Sequence, residues 1–413
     1  MDEKLPDVNV LLVEDDHTLL DLLSQTVLEV QHDRKDCVIH YTTASSDQEA
    51  ILRIGDTIPD LIVTDLYVGV GQKEALDFLE RLRDNLMTRN VRVIVISGRL
   101  HRQNDGKVYG FGSADRDLVN HLTRALKVDD VFSKPFSLYG PQGLMPAIDG
   151  QINRIIDDQS GSTGLPGRSA ADSDLKFVLE HSDVPSVVIR GDLRKVGLAA
   201  NDLYGTHFGN EIIDLLGGII RQMLKKADVE GIERVAYQQG GDEFQILLRS
   251  KQVRLRDLSQ VARVFCLSVG IEFDQRVRML YEGRENYHDG VLVGPGVRNK
   301  ERMHVALPVP CVRFTIIPVY KGVIKETAHI PIVENVLQAQ MKAMDNEREK
   351  AANARFHLPA RDFPELPTEE FARLVSLARQ DLMPGWSRFA IARLSTVRLV
   401  LEEHGAEMKG KGR

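Results

Sequence analysis

The amino-acid sequence predicts an α/β protein: a doubly wound parallel sheet followed by an α+β domain with C-terminal helices. Three observations carry that prediction. Apolar runs of strand length alternate with helical periods as far as about residue 158. The stretch QSGSTGLPGRSAADSD, residues 159–174, is rich in Ser, Gly, Pro and Asp and lacks apolar periodicity, which is linker composition. Beyond it, two apolar runs flank a Gly-Gly-Asp-Glu turn, as in a hairpin. A chain of 413 residues has room for two to three domains of ~150 residues.

In the first domain, 1–158, an apolar run over 8–13 ends at Glu14-Asp15-Asp16, and Leu19, Leu20, Leu22 and Leu23 then keep a helical period. Runs at 61–63 and 91–96 end at Asp65 and Ser97, with helical patterns such as 74–82 between them. A short strand near 130–132 ends at Lys134-Pro135, and a helix is expected over 144–156. This alternation implies parallel strands with helices on both faces.

After a linker at 159–174, the second domain spans 175–358. It reads as a helix from Leu175, a strand ending at Asp192, a helix carrying Ile212, Leu216 and Ile219, the hairpin 235–248, a strand at 312–319 and a helix at 332–344. An insertion is placed at 274–310, where Arg276, Arg278, Tyr281, Arg284, Tyr287, Arg298, Lys300 and Arg302 are expected on a solvated loop. Residues 359–413 read as a helical extension broken at Met383-Pro384-Gly385.

Composition narrows the function. Hydrophobic residues at 43% and charged residues at 27% suit a soluble globular protein. A net charge of −7 and the lack of a basic recognition helix argue against a nucleic-acid partner. No apolar run approaches the ~20 residues of a membrane span, and the acidic start has no leader pattern, so a cytoplasmic location and no membrane partner are expected. Cys37, Cys266 and Cys311 lie far apart with no CxxC pairing, as buried thiols do.

In a parallel α/β sheet, ligands bind at the carboxyl ends of the strands, so Glu14, Asp15, Asp16, Asp65, Ser97 and Lys134 should converge. Crowded carboxylates repel one another unless a divalent cation neutralises them, and oxygen donors suit magnesium. One carboxylate can then attack a phosphoryl donor while Ser97 and Lys134 stabilise the transferred oxygens. Through Val13-Glu14-Asp15-Asp16, Asp65, Ser97-Gly98 and Lys134-Pro135-Phe136, residues 8–158 resemble the receiver domain of bacterial two-component response regulators. The resemblance implies Asp65 as phosphoacceptor, Glu14, Asp15 and Asp65 as magnesium ligands, Ser97 and Lys134 as readers of the phosphoryl group, and a sensor histidine kinase as partner. Asp16 is expected only to flank the site. Val131 stands where the family has an aromatic, so coupling to the output face must differ or use another side chain such as Phe132. The segment after Ser97 is also long, and its polar, Gly-bearing stretch 99–117 is expected to be a loop.

Gly240-Gly241-Asp242-Glu243-Phe244 sits at a tight turn where paired glycines leave space for a polyphosphate and the carboxylates offer metal ligands. With Asp192 at a strand end, the set suits magnesium-assisted nucleotidyl transfer. These residues, with Asn201-Asp202 and Gly209-Asn210, resemble the GGDEF, or diguanylate cyclase, family, an α+β palm-like domain, across about 182–356. The resemblance implies condensation of two GTP molecules into cyclic di-GMP and pyrophosphate by a homodimer. Asp192, Asp242 and Glu243 would bind metal, Asp242 or Glu243 would activate the 3′-hydroxyl, Gly240 and Gly241 would make room for phosphates, and Asn201 and Asn210 would meet guanine. The alternative is a GGDEF domain that binds nucleotide or a protein partner without condensing it, or a cyclase with relaxed purine selectivity.

Several departures bear on activity. Asp192 is nine residues before Asn201, one more than the family spacing, so a bulge or register shift is expected between them. The family's Asp-x-Asp reads Asp192-Leu193-Arg194, and its lysine is replaced by Leu198 unless Lys195 substitutes. Near the domain's end Arg348 takes the basic position, but Ala351-Ala352-Asn353 replaces Gly-Arg-Asn. Gly231-Ile232-Glu233-Arg234 replaces the product-inhibition motif, so no feedback site is expected there.

Overall fold

Runs dominated by Val, Ile and Leu make strands buried on both faces, and β1 (Asp7–Val13), β3 (Leu61–Asp65) and β4 (Arg92–Ser97) are such strands. With β2 (Val38–Ala44) and β5 (Asp130–Ser133) they form an all-parallel sheet of order β2-β1-β3-β4-β5. The computed structural model describes residues 5–66, 72–98, 113–134, 136–140, 142–159, 163–194, 196–226, 231–284, 287–288, 291–298, 301–319, 357–359 and 388–391. The chain divides into two units, Met1–Gly161 and Ser162–Arg413.

In the first unit the helices are α1 (His17–Asp33), α2 (Asp47–Asp56), α3 (Gln72–Asp84), α4 (Ser113–Asn120) and α5 (Leu144–Asp158). Alternate strand residues point to opposite faces. Val8, Val10 and Leu12 pack with Leu23, Val27, Ile148 and Ile152 of α1 and α5, whereas Leu11 and Val13 pack with Phe78, Leu79 and Leu122. Asp16 caps α1, accepting from the Thr18 and Leu19 N–H groups at 2.9 and 3.2 Å, which explains why it only flanks the acidic cluster. The loop expected over 99–117 is corrected at its end: α4 begins at Ser113, while 99–112 lie outside the described residues. Phe132 packs with Leu20 and Phe136 in the α1/α5 core, on the face opposite Val131, so it does not take over Val131's position.

The second unit holds β6 (Ser186–Arg194), β7 (Glu233–Gly240), β8 (Glu243–Arg249), β9 (Tyr287–His288), β10 (Val291–Arg298), β11 (Glu301–Pro308), β12 (Cys311–Val319), β13 (His357–Pro359) and β14 (Arg388–Ile391). Its helices are α6 (Arg168–Glu180), α7 (Asp202–Tyr204), α8 (Thr206–Lys226) and α9 (Leu255–Tyr281). The main sheet runs β14-β12-β6-β8-β7, and α8 and α9 bury Ile212, Leu216, Ile219, Phe265, Val269 and Phe273 against one face of it. A second sheet runs β13-β11-β10-β9.

Three expectations are corrected here. The linker is shorter than its composition implies: α6 starts at Arg168, anchored by the buried Asp174, whose carboxylate accepts from the Tyr237 hydroxyl. Residues 274–281 are the end of α9 rather than inserted loop, and 291–298 pairs antiparallel with 301–308. Within the extension, residues 388–391 are a strand, not helix: β14 pairs in parallel with β12, a long-range choice that overrides the local helical pattern. The helix expected at 332–344 lies outside the described residues. All three cysteines are buried, and no described helix is long and apolar enough to cross a membrane.

Candidate functional site

At the carboxyl edge of the parallel sheet, Glu14 follows β1, Asp65 closes β3, Ser97 closes β4 and Lys134 follows β5. Glu14, Asp15 and Asp65 each offer an oxygen within 4.8 Å of the others, and among the described residues this is the one such group of three or more metal-ligating side chains. Lys134 Nζ donates to Asp65 Oδ2 at 2.7 Å and to Glu14 Oε2 at 2.8 Å. The Lys134 N–H donates to the Ser97 carbonyl at 2.8 Å, which fixes the β5 end beside β4. Ser97 is fully buried, and Asp15 is exposed.

Burial is the largest influence on the Glu14 carboxyl and pushes its pKa up; Lys134 pulls it back and the Asp65 charge adds to the rise. Burial opposes the charge on Lys134 too, but hydrogen bonds to Asp65 and Glu14 outweigh it and its pKa is raised. The trio of hard oxygen donors fits magnesium, and Lys134 shows where a cation already balances two of the carboxylates.

In the second unit the hairpin is built as its sequence implies. Gly240 pairs with Glu243, a bulge separates Gln238 from Gly240, and Gly241 has φ +31°. A Cβ on Gly240 or Gly241 would meet nothing within 4 Å, so the space above the turn is open. Asp242 and Glu243 are exposed. Asp192 stands directly opposite Glu243, and the Leu193 N–H donates to the Asp242 carbonyl at 3.0 Å, so the strand-end carboxylate does lie beside the turn. The three carboxylates do not close on one point, because Asp192 Oδ2 is paired with Arg194 Nε. Asp192 thus offers Oδ1 beside a guanidinium, while Asp242 and Glu243 offer exposed carboxylates.

The extra residue between Asp192 and Asn201 is taken up in one π-helical turn, Gly197–Asn201, and not in a strand bulge. Asn201, at the end of that turn, lays its amide oxygen against Gly209: a Cβ on Gly209 would lie 1.8 Å from Asn201 Oδ1. That oxygen is buried and accepts no hydrogen bond from the protein. Asn210 follows on α8 and is exposed. Lys195 and Arg348 lie outside the described residues.

Two features were missed by sequence reasoning. Thr163 Oγ1 donates to Gln238 Oε1 at 2.6 Å and Gln238 Nε2 donates to the Gly241 carbonyl at 2.7 Å, so the segment entering this unit is tied to the Gly-Gly turn. Arg284, expected in solvent, stacks 3.9 Å from the Phe208 ring centroid and 4.6 Å from that of Tyr204, beside buried Tyr281, whose hydroxyl donates to the Ala199 carbonyl. The spacing of Phe265, Val269, Phe273, Val277 and Tyr281, four apart, was the available signal that α9 continues.

The family model described as "Diguanylate cyclase, GGDEF domain" matches residues 159–281, so the second unit contains a GGDEF domain. A comparison with curated proteins gives no match. Among solved structures, the first unit is similar to the signal receiver domain of a DNA-binding response regulator (merR) from Colwellia psychrerythraea 34H, at 20% identity over 37% of this chain and 99% of that one, with TM-score 0.28. A response regulator receiver domain from Clostridium thermocellum gives 20% over 36% and 95%, with TM-score 0.26. The non-phosphorylated HemR receiver domain from Leptospira biflexa gives 19% over 36% and 94%, with TM-score 0.25. The strand order β2-β1-β3-β4-β5 is that of the flavodoxin-like doubly wound fold.

Proposed function

We propose that this chain is a response regulator in which phosphorylation of Asp65 controls a GGDEF domain that takes GTP. The observation that carries this reading is the convergence of Glu14, Asp15 and Asp65 within 4.8 Å with Lys134 bridging two of them, in a chain that goes on to a GGDEF domain. Glu14, Asp15 and Asp65 would hold magnesium, which neutralises the phosphoryl oxygens when bound. The Asp65 carboxylate attacks the phosphorus of a phosphohistidine, the P–N bond breaks, and its electron pair leaves on the imidazole. Lys134 and Ser97 then serve the new phosphoryl oxygens.

In the finer reading, the second unit condenses two GTP molecules, one on each subunit of a homodimer. The 3′-oxygen of one attacks the α-phosphorus of the other, pyrophosphate leaves, and the hydroxyl proton passes to Asp242 or Glu243. Exposed carboxylates at a turn with open space above two glycines support this. One observation favours the second reading, a GTP-binding domain that does not condense: Asp192 is paired with Arg194. Incubating the full chain with GTP and magnesium, with and without acetyl phosphate, and separating the products decides between them. Cyclic di-GMP that rises with phosphodonor supports condensation under phosphorylation control; GTP binding without product supports the second reading.

A further inference from the structure

We propose that Arg194, oriented by Asp192, grips the polyphosphate of the nucleotide bound in the second unit, in place of a divalent cation on Asp192. This rests on the reading of that unit as a GTP site.

Asp192 and Arg194 are two apart on β6, so both side chains leave the same face of the sheet at the strand end. Their ion pair joins Oδ2 to Nε; these two atoms and Nη2 are buried while the side chains as wholes are 23% and 20% exposed, so the rest of the guanidinium is the part a ligand can reach. Arg313 stands directly opposite Asp192 on β12, and cross-strand neighbours on one face share a local field. A divalent cation at Asp192 would have to sit against a guanidinium, and like charges a few ångströms apart repel strongly where water is partly excluded.

The donor set confirms the misfit, since Asp192, Asp242 and Glu243 do not form a group of converging ligand atoms. A guanidinium offers five N–H donors in a rigid plane suited to phosphate, and the ion pair with Asp192 restrains where that plane can lie. The arginine lies one residue beyond Leu193, whose N–H is bonded to the Asp242 carbonyl, so it flanks the Gly-Gly-Asp-Glu turn and its open space. Magnesium commonly binds through one or two carboxylates plus substrate phosphates, and Asp242 and Glu243 suffice for that.

The test measures binding of GTP and of guanosine to the full-length protein by titration calorimetry, in magnesium and again in EDTA. Arg194→Ala should weaken GTP about tenfold or more in both buffers, the loss of a charge-assisted hydrogen bond, and leave guanosine within about twofold. Arg194→Lys should recover part of the loss, and Asp192→Asn should show a smaller loss of the same kind. If Arg194→Ala binds GTP as tightly as the wild type, or more tightly in magnesium, the arginine only plugs a metal ligand and the proposal fails. An equal loss for guanosine would make Arg194 a structural residue and also overturn it. A wild-type protein that binds neither GTP nor guanosine would refute the GTP reading itself, whereas wild-type binding with an indifferent Arg194→Ala refutes only the role given to Arg194.

Discussion

Lys134 reaches Asp65 at 2.7 Å while also holding Glu14 at 2.8 Å, so one ammonium at the end of β5 spans carboxylates from the ends of β3 and β1. The bridge ties the ends of three strands together at the carboxyl edge of the sheet.

Asp65→Asn should reduce labelling by a radioactive phosphodonor to background. Asp65 is the buried carboxylate that closes β3 and faces both Glu14 and Lys134. Labelling of the variant at the wild-type level would remove Asp65 as the phosphoacceptor.

Glu14 gives the first unit a distinctive pH response. A carboxyl whose pKa the fold raises contributes stability that is full below its ordinary value, here 4.5, and is lost as pH rises through the raised value. In EDTA, the melting temperature of the first unit should therefore fall as pH climbs above 4.5, and Glu14→Gln should flatten that fall. Magnesium should stabilise less at the acid end, where it competes with the proton. Calorimetric scans of both proteins from pH 4.5 to neutrality test this, and parallel curves would contradict it.

Gly209→Ala should destabilise the second unit by ~1–3 kcal/mol, since its Cβ would strike Asn201 Oδ1. Gly240→Ala, with nothing within 4 Å, should leave the melting temperature unchanged. Adding Asn201→Ala to Gly209→Ala should restore stability but not GTP affinity. A Gly209→Ala protein that melts like wild type would show that Asn201 is not held against that glycine.

Asp242→Ala should abolish cyclic di-GMP formation, by about a hundredfold or more, with an unchanged melting temperature, because the residue is exposed on the turn and acts on charge developing in the reaction. Full activity in a folded variant would remove Asp242 from the chemistry.

The parts of both sites that the sequence made legible are those fixed by local pattern. Buried parallel strands announce their ends, so Glu14, Asp65, Ser97 and Lys134 could be placed on one edge from apolar runs alone. The Gly240-Gly241 turn was equally local. What stayed hidden depends on partners far apart in the chain: the Asp192–Arg194 pairing, Thr163 bonded to Gln238, and the four-residue strand at 388–391 that exists because β12 offers it an edge. Residues 168–174 looked like linker because Ser and Asp suit turns, yet Asp174 is buried on a helix through its bond to Tyr237. Arg284 was assigned to solvent from a charge run, although aromatic rings at Tyr204 and Phe208 hold it.

The π-helical turn at Gly197–Asn201 also says how this chain can vary. One added residue inside a strand would turn every later side chain to the wrong face. Stored in a single helical turn, it leaves Asp192 opposite Glu243 and Leu193 bonded to Asp242, and alters only how Asn201 is presented. The turn is slack in the thread between a rigid sheet and the Asn201 side chain. Lengthening or shortening it is a route by which descendants of this sequence can change what the site accepts while the sheet keeps its register.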